Sequence, residues 1–283
     1  MVSKIMIGVR AHDLGEFTIA RLEEFIQEIK RYGFTHIQLV LWKSFSDIDP
    51  YLTNVSTDQL EMIAKRLKEE SIKVTVLGAY YNMISPDLKD RILGEERYEK
   101  MLEILKIFNG EVVGTEPGSY NIDFSFNERN HSKESYDIVL DSFKKFSKVA
   151  EKNGTNMGLE PVYTLTIWNI EVVKKLFNDL NSKNFKIIFD PVNLIGIENY
   201  QQQDELIENM FEIFKDNIVT VHFKDFLVKD RKLIRVSPGK GILNYKLLLS
   251  KMKKYNINGI LDEVPKEDLE FSKKYVENIL NTL

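Results

Sequence analysis

The chain contains no cysteine among its 283 residues. Disulfide bonds and thiolate metal sites are therefore excluded, and a bound metal ion would have to be held by oxygen atoms and imidazole nitrogens. The absence of cysteine is compatible with the cytosol, although it does not by itself establish that location.

The chain also lacks a long hydrophobic run and an excess of positive charge. No stretch of about 18 apolar residues is present to span a bilayer, and residues 1–5 lack the apolar core of a signal peptide. The formal net charge is −4, and no basic segment is long enough to line a nucleic-acid groove. These absences predict a cytoplasmic protein with no membrane and no nucleic-acid partner.

The composition is otherwise that of a globular protein, with 43% hydrophobic and 29% charged residues. Short β-branched runs alternate with longer amphipathic segments. Strands are predicted near residues 4–9, 36–41, 73–78, 111–115, 156–160, 186–190, 218–223 and 259–263. Helices are predicted near residues 18–32, 56–69, 95–108, 133–152, 169–181, 203–215, 244–255 and 267–281. This alternation predicts one α/β domain over residues 1–283, a (β/α)8 TIM barrel.

Local signals support these helix boundaries. Apolar residues between Ile19 and Ile29 recur at three- and four-residue spacing, and Gly33 follows as a left-handed stop. Ser56 and Gln59 fit a capping box, and Gly154 closes the fourth helix in the same way as Gly33. A doubly wound sheet is disfavoured, because no GxGxxG pattern follows the first strand.

Four predicted strands end on a possible metal ligand: Glu160, Asp190, His222 and Glu263. An apolar strand that ends on a charged group is costly unless that end faces water, a metal or a substrate. The carboxyl ends of barrel strands meet at one face, so these side chains are expected to form one cluster. Three carboxylates and one imidazole suit Mn²⁺, Mg²⁺, Co²⁺ or Zn²⁺.

Two alternatives stay open at this cluster. Successive strand side chains point to opposite faces, so Asp262 and Glu263 cannot both point inward. Glu263 is favoured because it lies closer to the strand end, and Asp262 remains the alternative. A purely structural reading is also open, in which the acids cap loops or pair with nearby lysines.

In a barrel, functional side chains lie at the carboxyl ends of the strands, and this strand-end rule also separates the other histidines by position. His36 precedes the second strand and is expected to be structural at the bottom of the barrel. His131 lies in a polar loop and is expected to be solvated rather than ligating. His12 follows the first strand and shares the active face with His222.

The sequence resembles the sugar phosphate isomerase/epimerase group of xylose-isomerase-like barrels, whose fold is also that of the endonuclease IV family. The matching pieces, in chain order, are Arg10-Ala11-His12-Asp13, Val113-Gly114-Thr115-Glu116-Pro117-Gly118-Ser119, Gly158-Leu159-Glu160-Pro161-Val162, Phe189-Asp190-Pro191-Val192-Asn193-Leu194, His222-Phe223-Lys224-Asp225 and Pro238-Gly239-Lys240-Gly241. They span nearly the whole chain.

The resemblance implies a divalent metal held by Glu160, Asp190, His222 and Glu263. It implies that Glu160 and Glu263 face opposite sides of a sugar, one removing the proton next to a carbonyl and the other returning a proton. The metal would stabilise the enediolate that forms between these steps. The family also suggests a homodimer or homotetramer.

Five further residues are candidates for contacts with a small carbohydrate substrate: His12, Asn82, Glu116, Asn193 and Lys224. Asn193 departs from the family pattern, which often has a histidine there, and an asparagine cannot shuttle a proton at neutral pH. Lys224 could instead pair with a ligand carboxylate. Trp168 could stack on a sugar face or simply pack at a helix start.

The leading functional interpretation is a metal-dependent isomerase or epimerase of a small sugar, sugar phosphate or polyol derivative. A lyase of the inosose dehydratase type would use the same site and begin with the same proton abstraction. A metal-free glycosidase with two carboxylates, a repair endonuclease, which would need more histidines and a basic groove, and a non-catalytic barrel are less favoured.

Overall fold

The computed structural model describes residues 5–283 and contains a closed barrel of eight parallel strands. The barrel strands are Ile7–Arg10 (β1), His36–Leu39 (β2), Lys73–Gly78 (β3), Val112–Thr115 (β4), Met157–Leu159 (β5), Phe185–Phe189 (β6), Ile218–Phe223 (β7) and Gly259–Leu261 (β10). The remaining two strands of residues 5–283, β8 and β9, form a hairpin outside the barrel that is described below. Around the ring the barrel strands follow the order β1-β10-β7-β6-β5-β4-β3-β2. The TIM-barrel prediction is therefore confirmed.

Helices follow the strands around the outside of the barrel. They are Leu22–Arg31 (α1), Leu41–Ser44 (α2), Thr57–Glu69 (α3), Leu88–Ile104 (α4), Lys133–Asn153 (α5), Ile170–Leu180 (α6), Gln203–Phe214 (α7), Tyr245–Tyr255 (α8) and Leu269–Thr282 (α9). Within residues 5–283, none of these helices is long and apolar enough to cross a membrane.

The core has two parts. A small cluster of Val76, Val112, Ile188 and Ile260 joins side chains from four different strands, which can meet only inside the barrel. A much larger apolar layer fills the space between the barrel and the surrounding helices. The interior of the barrel is therefore packed rather than hollow, and the polar site lies above this packing.

The predicted strands match the barrel strands to within three residues at each end, and residue 4 of the first predicted strand lies outside the described residues. The predicted helix end signals are also present. Ser56 and Gln59 form a complete capping box at the start of α3. Gly33 and Gly154 have φ values of +67° and +59°, in the left-handed region that glycine favours.

Three parts of the fold differ from the prediction. Helix α4 begins at Leu88 rather than near residue 95, with the side chain of Asp87 accepting hydrogen bonds from the backbone of its first turn. The exposed positions of Leu88 and Ile92 hide the amphipathic pattern there. The short helix α2 was not predicted, because its single turn is too short to show periodicity.

The third difference is a hairpin between β7 and α8. It consists of Asp225–Lys229 (β8) and Lys232–Val236 (β9), which pair antiparallel outside the barrel. Its two turn residues, Asp230 and Arg231, both have positive φ values of 50° and 57°. Such a turn is normally signalled by Asn-Gly or Asp-Gly, and Asp-Arg carries no comparable sequence signal.

We predict that Ser56→Ala lowers the free energy of unfolding by about 1 kcal/mol, because the backbone N–H of Gln59 loses its hydrogen-bond acceptor. Urea denaturation followed by circular dichroism measures this change. Ser56→Thr keeps the hydroxyl group and serves as the control, with an expected loss well below that of alanine. Equal losses in the two variants would contradict the capping role.

Candidate metal centre and active site

Four buried side chains meet at the carboxyl ends of the strands. Glu160 directly follows β5, Asp190 follows β6, His222 lies within β7, and Asp262 follows β10. Each offers one ligand atom, and these atoms all lie within 4.8 Å of one another. Parallel strands converge on this face, so residues far apart in sequence form a single polar cluster above an apolar core.

Asp262, rather than Glu263, is the member from the eighth barrel strand. The backbone N–H of Asp262 donates to Phe223 O at 3.3 Å, which continues the parallel ladder and directs its side chain inward. Glu263 has a φ of +55° and its side chain is 44% exposed. Because side chains alternate along a strand, only one of these two residues can point inward, and it is Asp262. The preference for Glu263, which was based on its closeness to the strand end, is therefore corrected to Asp262.

Hydrogen bonds fix the orientation of the His222 ring. Its Nε2 lies 2.8 Å from Gln38 Oε1, and its Nδ1 lies 3.2 Å from Glu160 Oε1. The amide oxygen of Gln38 can only accept, so Nε2 carries the proton and Nδ1 faces the cluster. Gln38 in turn donates to Tyr80 Oη at 3.0 Å, and Tyr80 Oη lies 3.5 Å from Glu160 Oε2.

Asn193 supports Glu160 from the other side. Its Nδ2 donates to Glu160 Oε1 at 2.6 Å, and its Oδ1 is buried without a hydrogen-bond partner. Asn193 therefore positions Glu160 in this structure, and its buried acceptor atom would be stabilised by a hydrogen-bond donor.

Lys224 compensates the negative charge of the cluster. Its Nζ lies 2.7 Å from Asp262 Oδ2, 3.0 Å from Asp190 Oδ2 and 3.2 Å from Glu263 Oε2. Arg10 adds a second cation, 3.5 Å from Asp262 Oδ1. The structure thus places Lys224 against the carboxylates. This position agrees with its interpretation as the partner of a ligand carboxylate.

The charges of the cluster shift several pKa values. Burial opposes ionisation of His222, but Glu160 and Asp262 outweigh it and raise its pKa to about 9. Burial likewise opposes ionisation of Asp262, and Lys224, His222 and Arg10 outweigh it and hold its pKa well below the usual range. For Asp190 burial prevails, and its pKa is raised.

A cavity of about 290 Å³ opens above the cluster. Glu160, Lys224 and Asp262 form part of its floor. The remaining lining residues are Arg10, His12, Gln38, Lys43, Tyr80, Tyr81, Glu116, Phe124 and Glu263. The volume is close to the lower limit of about 300 Å³ for ligand pockets, so the cavity fits a small polar ligand.

Three predicted substrate contacts line this cavity: Lys224, described above, and His12 and Glu116. Burial, together with the positive charges of Arg10 and Lys43, lowers the pKa of His12 to about 3. Burial and the nearby charge of Glu160 raise the pKa of Glu116 to about 8. At neutral pH both side chains are therefore uncharged, which suits hydrogen bonding to hydroxyl groups.

Asn82 lies outside the cavity. Its Oδ1 accepts from the backbone N–H of Ser119 at 2.9 Å and of Ile84 at 3.3 Å, and its Nδ2 donates to Asn121 O at 3.3 Å. Asn82 therefore ties the loop after β3 to the loop after β4, and its predicted contact with substrate stays a prediction.

His36 and His131 lie away from the cluster. His36 is buried at the start of β2, at the opposite end of the barrel. His131 is partly buried, and its ring stacks on Trp168 with 4.5 Å between ring centroids. Neither is placed to ligate a metal at this cluster.

The sequence interpretation missed Gln38, Tyr80 and Lys43. Gln38 carried the clearest signal, because a glutamine inside an apolar strand must find hydrogen-bond partners once it is buried. Tyr80 and Lys43 follow β3 and β2, where the strand-end rule applies to them as it does to the acids. Only the fold shows that they face this cavity.

The donor set fits a divalent cation. Three carboxylates and one imidazole are packed within coordination reach of a single point, and Asp190 Oδ2 accepts no hydrogen bond of suitable geometry. Buried carboxylates at this spacing repel one another unless a cation lies between them. The cluster could therefore hold a metal of the oxygen- and nitrogen-preferring group.

The family model of the xylose isomerase-like TIM barrel matches residues 26–274, so the chain belongs to this family. No curated protein sequence matches the chain. Solved structures show the same fold at low sequence identity.

Three such structures are informative. The Escherichia coli 3-keto-D-glucoside 4-epimerase YcjR, in its apo form, is 20% identical with a TM-score of 0.72, covering 97% of this chain and 100% of that one. The IOLI protein with a bound zinc atom is 18% identical with a TM-score of 0.73, covering 98% of both chains. The probable 3-DHS dehydratase AsbF of Bacillus anthracis is 15% identical with a TM-score of 0.67, covering 93% and 98%.

We predict that the ring signals of His12 do not shift between about pH 5 and 8 in the metal-free protein, because its pKa is about 3. In the unfolded chain His12 binds a proton below about pH 6.5, whereas in the folded protein it stays neutral down to about pH 3. His12 therefore lowers the free energy of unfolding as the pH falls below about 6.5. Nuclear magnetic resonance of the histidine rings measures this, with His12→Gln for assignment. A His12 midpoint near 6.5 would contradict the burial of this ring.

Proposed function

We propose that this protein is a divalent-metal-dependent isomerase or epimerase of a small sugar, sugar phosphate or polyol derivative. The observation that carries the proposal is the buried cluster of Glu160, Asp190, His222 and Asp262, two of whose members, Glu160 and Asp262, line a cavity with many polar side chains. Membership of the xylose isomerase-like family and structural similarity to a sugar epimerase support it. The proposal treats residues 1–283 as one catalytic domain in the cytoplasm.

Glu160, Asp190, His222 and Asp262 would hold the metal, which could be Mn²⁺, Mg²⁺, Co²⁺ or Zn²⁺. When bound, such an ion polarises the carbonyl and hydroxyl oxygens of a sugar and makes the neighbouring C–H bond more acidic. The hydrogen bond from His222 Nε2–H to Gln38 leaves Nδ1 free to ligate and keeps the ring in place.

Glu160 is the proposed base. Burial opposes its ionisation, but His222 and Lys224 outweigh burial and lower its pKa, so it is a carboxylate at neutral pH. It takes the proton from the carbon next to the carbonyl, and the electrons of that C–H bond form an enediolate. Asn193 and Tyr80 hold the carboxylate in position during this transfer.

Asp262 is the proposed partner that returns a proton. It is ionised at rest, because its pKa lies well below the usual range, so it takes this proton up from water before passing it on. Strands β5 and β10 are separated by β6 and β7 in the ring, so Glu160 and Asp262 reach the cavity from different sides. Return to the same carbon on the opposite face gives an epimer, and return to the neighbouring carbon gives an isomer. We move the catalytic role predicted for Glu263 to Asp262, because Glu263 lines the cavity but lies outside the cluster.

A lyase acting on an inosose-type substrate is the second candidate. It would begin with the same proton transfer to Glu160 and then expel a hydroxide from the next carbon. Glu116 favours this candidate, because a carboxyl group with a pKa of about 8 is protonated at neutral pH and could donate to the leaving hydroxide.

We predict that the purified protein binds about one divalent ion per chain and that Glu160→Gln and His222→Ala lose it, because each removes one ligand of the cluster. Metal content by inductively coupled plasma mass spectrometry measures this after dialysis against Mn²⁺, Co²⁺ or Zn²⁺. Glu198→Gln, whose side chain pairs with Tyr163 instead, is the control and keeps the ion. Metal-free wild type after loading with all three ions would overturn the proposed site.

We predict that the metal-loaded protein exchanges the proton next to the carbonyl of a ketose or inosose with deuterated water. Glu160→Gln removes both the base and a metal ligand, so it should slow this exchange by at least about 10²- to 10⁴-fold. Proton magnetic resonance follows the exchange, and the same spectra show an unsaturated product if the enzyme is a lyase. Glu263→Gln is the control, with a smaller expected effect; a Glu160→Gln variant that exchanges as fast as wild type would exclude Glu160 as the base.

A further inference from the structure

A second cavity opens beside the first on the same face of the barrel. Its volume is about 1020 Å³, and it is bounded by the loops after β4, β5 and β6 and by the β8–β9 hairpin. One wall consists of four aromatic rings: Phe126, His131, Tyr163 and Trp168. The proposed reaction uses none of these rings, so their grouping at one cavity calls for another explanation.

The aromatic wall is an ordered arrangement. The His131 ring stacks on Trp168 with centroids 4.5 Å apart and planes at 16°, and Tyr163 meets Trp168 edge-on at 6.3 Å. His131 Nε2 lies 3.1 Å from Tyr163 O, and Tyr163 Oη donates to Glu198 at 3.1 Å. These contacts hold the rings in place and leave apolar faces in contact with water, as at many ligand sites.

Phe126 completes the wall and is 51% exposed. Its ring lies edge-on to His131 with centroids 5.5 Å apart. Exposing a large aromatic ring to water is unfavourable by the hydrophobic effect, and covering it with a flat apolar group removes that cost. The cavity therefore favours an occupant with an aromatic or similarly flat apolar surface.

The two cavities are neighbours across a thin boundary. Asn193 lines the second cavity and donates to Glu160 of the cluster at 2.6 Å. Arg235 also lines the second cavity and lies 3.8 Å from Glu263, which lines the first. The two cavities are therefore adjacent, with these residues at their common boundary.

We infer that the second cavity is a subsite for a flat apolar substituent of the substrate. The first cavity has room for about one sugar ring, and the second, more than three times larger, takes the group attached to that ring. The substrate class is then a glycoside or another sugar conjugate that keeps a carbonyl group on its ring, rather than a free monosaccharide. This inference rests on the proposed function, which supplies the sugar above the cluster.

The test compares matched glycosides that differ only in this substituent. Phenyl and methyl glycosides of glucose, galactose, mannose and xylose are titrated into the Mn²⁺-loaded protein by isothermal calorimetry. These compounds carry no ketone, so their binding does not depend on turnover. We expect the phenyl glycoside of at least one sugar to bind about tenfold more tightly than its methyl partner, in line with aromatic contacts and buried apolar area.

Variants of the aromatic wall test whether the preference for phenyl over methyl glycosides arises in the second cavity. Trp168→Ala and Phe126→Ala each remove part of the wall and should reduce the phenyl preference to less than about threefold, a loss on the scale of one aromatic contact. Phe126 is largely exposed, so its replacement leaves the core intact even if Trp168→Ala folds poorly. Phe271→Ala is the matched control, because Phe271 is 48% exposed on α9, outside the cavity, and should keep the full preference.

The outcomes separate this inference from the proposed function. Equal binding of the phenyl and methyl partners for every sugar, or no binding of either, overturns the subsite, even if free ketoses exchange protons normally. A phenyl preference that Phe126→Ala and Phe271→Ala leave equally intact also overturns it. A preference lost with the wall supports the subsite, and the absence of any proton exchange in the same protein would then count against the isomerase proposal alone.

Discussion

The compensation of buried charge around Lys224 is the constraint on which this site depends. Three carboxylates lie close together in an apolar surrounding, where each alone would be costly. Lys224 contacts Asp190, Asp262 and Glu263, and Arg10 reaches Asp262 from the first strand. This balance keeps the cluster buried and charged. Its four ligand atoms lie within 4.8 Å of one another, so the cluster could bind a divalent cation.

A shell of hydrogen bonds turns that charged cluster into an ordered one. Gln38 holds His222, Tyr80 lies between Gln38 and Glu160, and Asn193 donates to Glu160. These partners come from three further positions on the barrel face. They fix the orientation of the His222 ring and the Glu160 carboxylate before a substrate binds.

Much of the fold follows from local sequence signals. Alternating periodicity located the barrel strands to within three residues, and the capping box at Ser56 located the start of α3. The start of α4 and the hairpin could not be located in this way, because exposed Leu88 and Ile92 and an Asp230-Arg231 turn obscure the usual patterns. At the site, Glu160, Asp190 and His222 were located from their strand ends, whereas Asn82, expected to contact the substrate, is held between the loops after β3 and β4.

The sequence alone determined the barrel and three members of the cluster, because strand periodicity and strand-end polarity are local properties that the printed residues carry. Only the tertiary structure decided between Asp262 and Glu263, since the answer depends on whether the ladder with β7 continues for one more residue. It also decided that Gln38 and Tyr80 support the cluster and that four aromatic rings share one wall. Those facts depend on which strands and loops become neighbours when the ring closes, and no local pattern encodes that proximity.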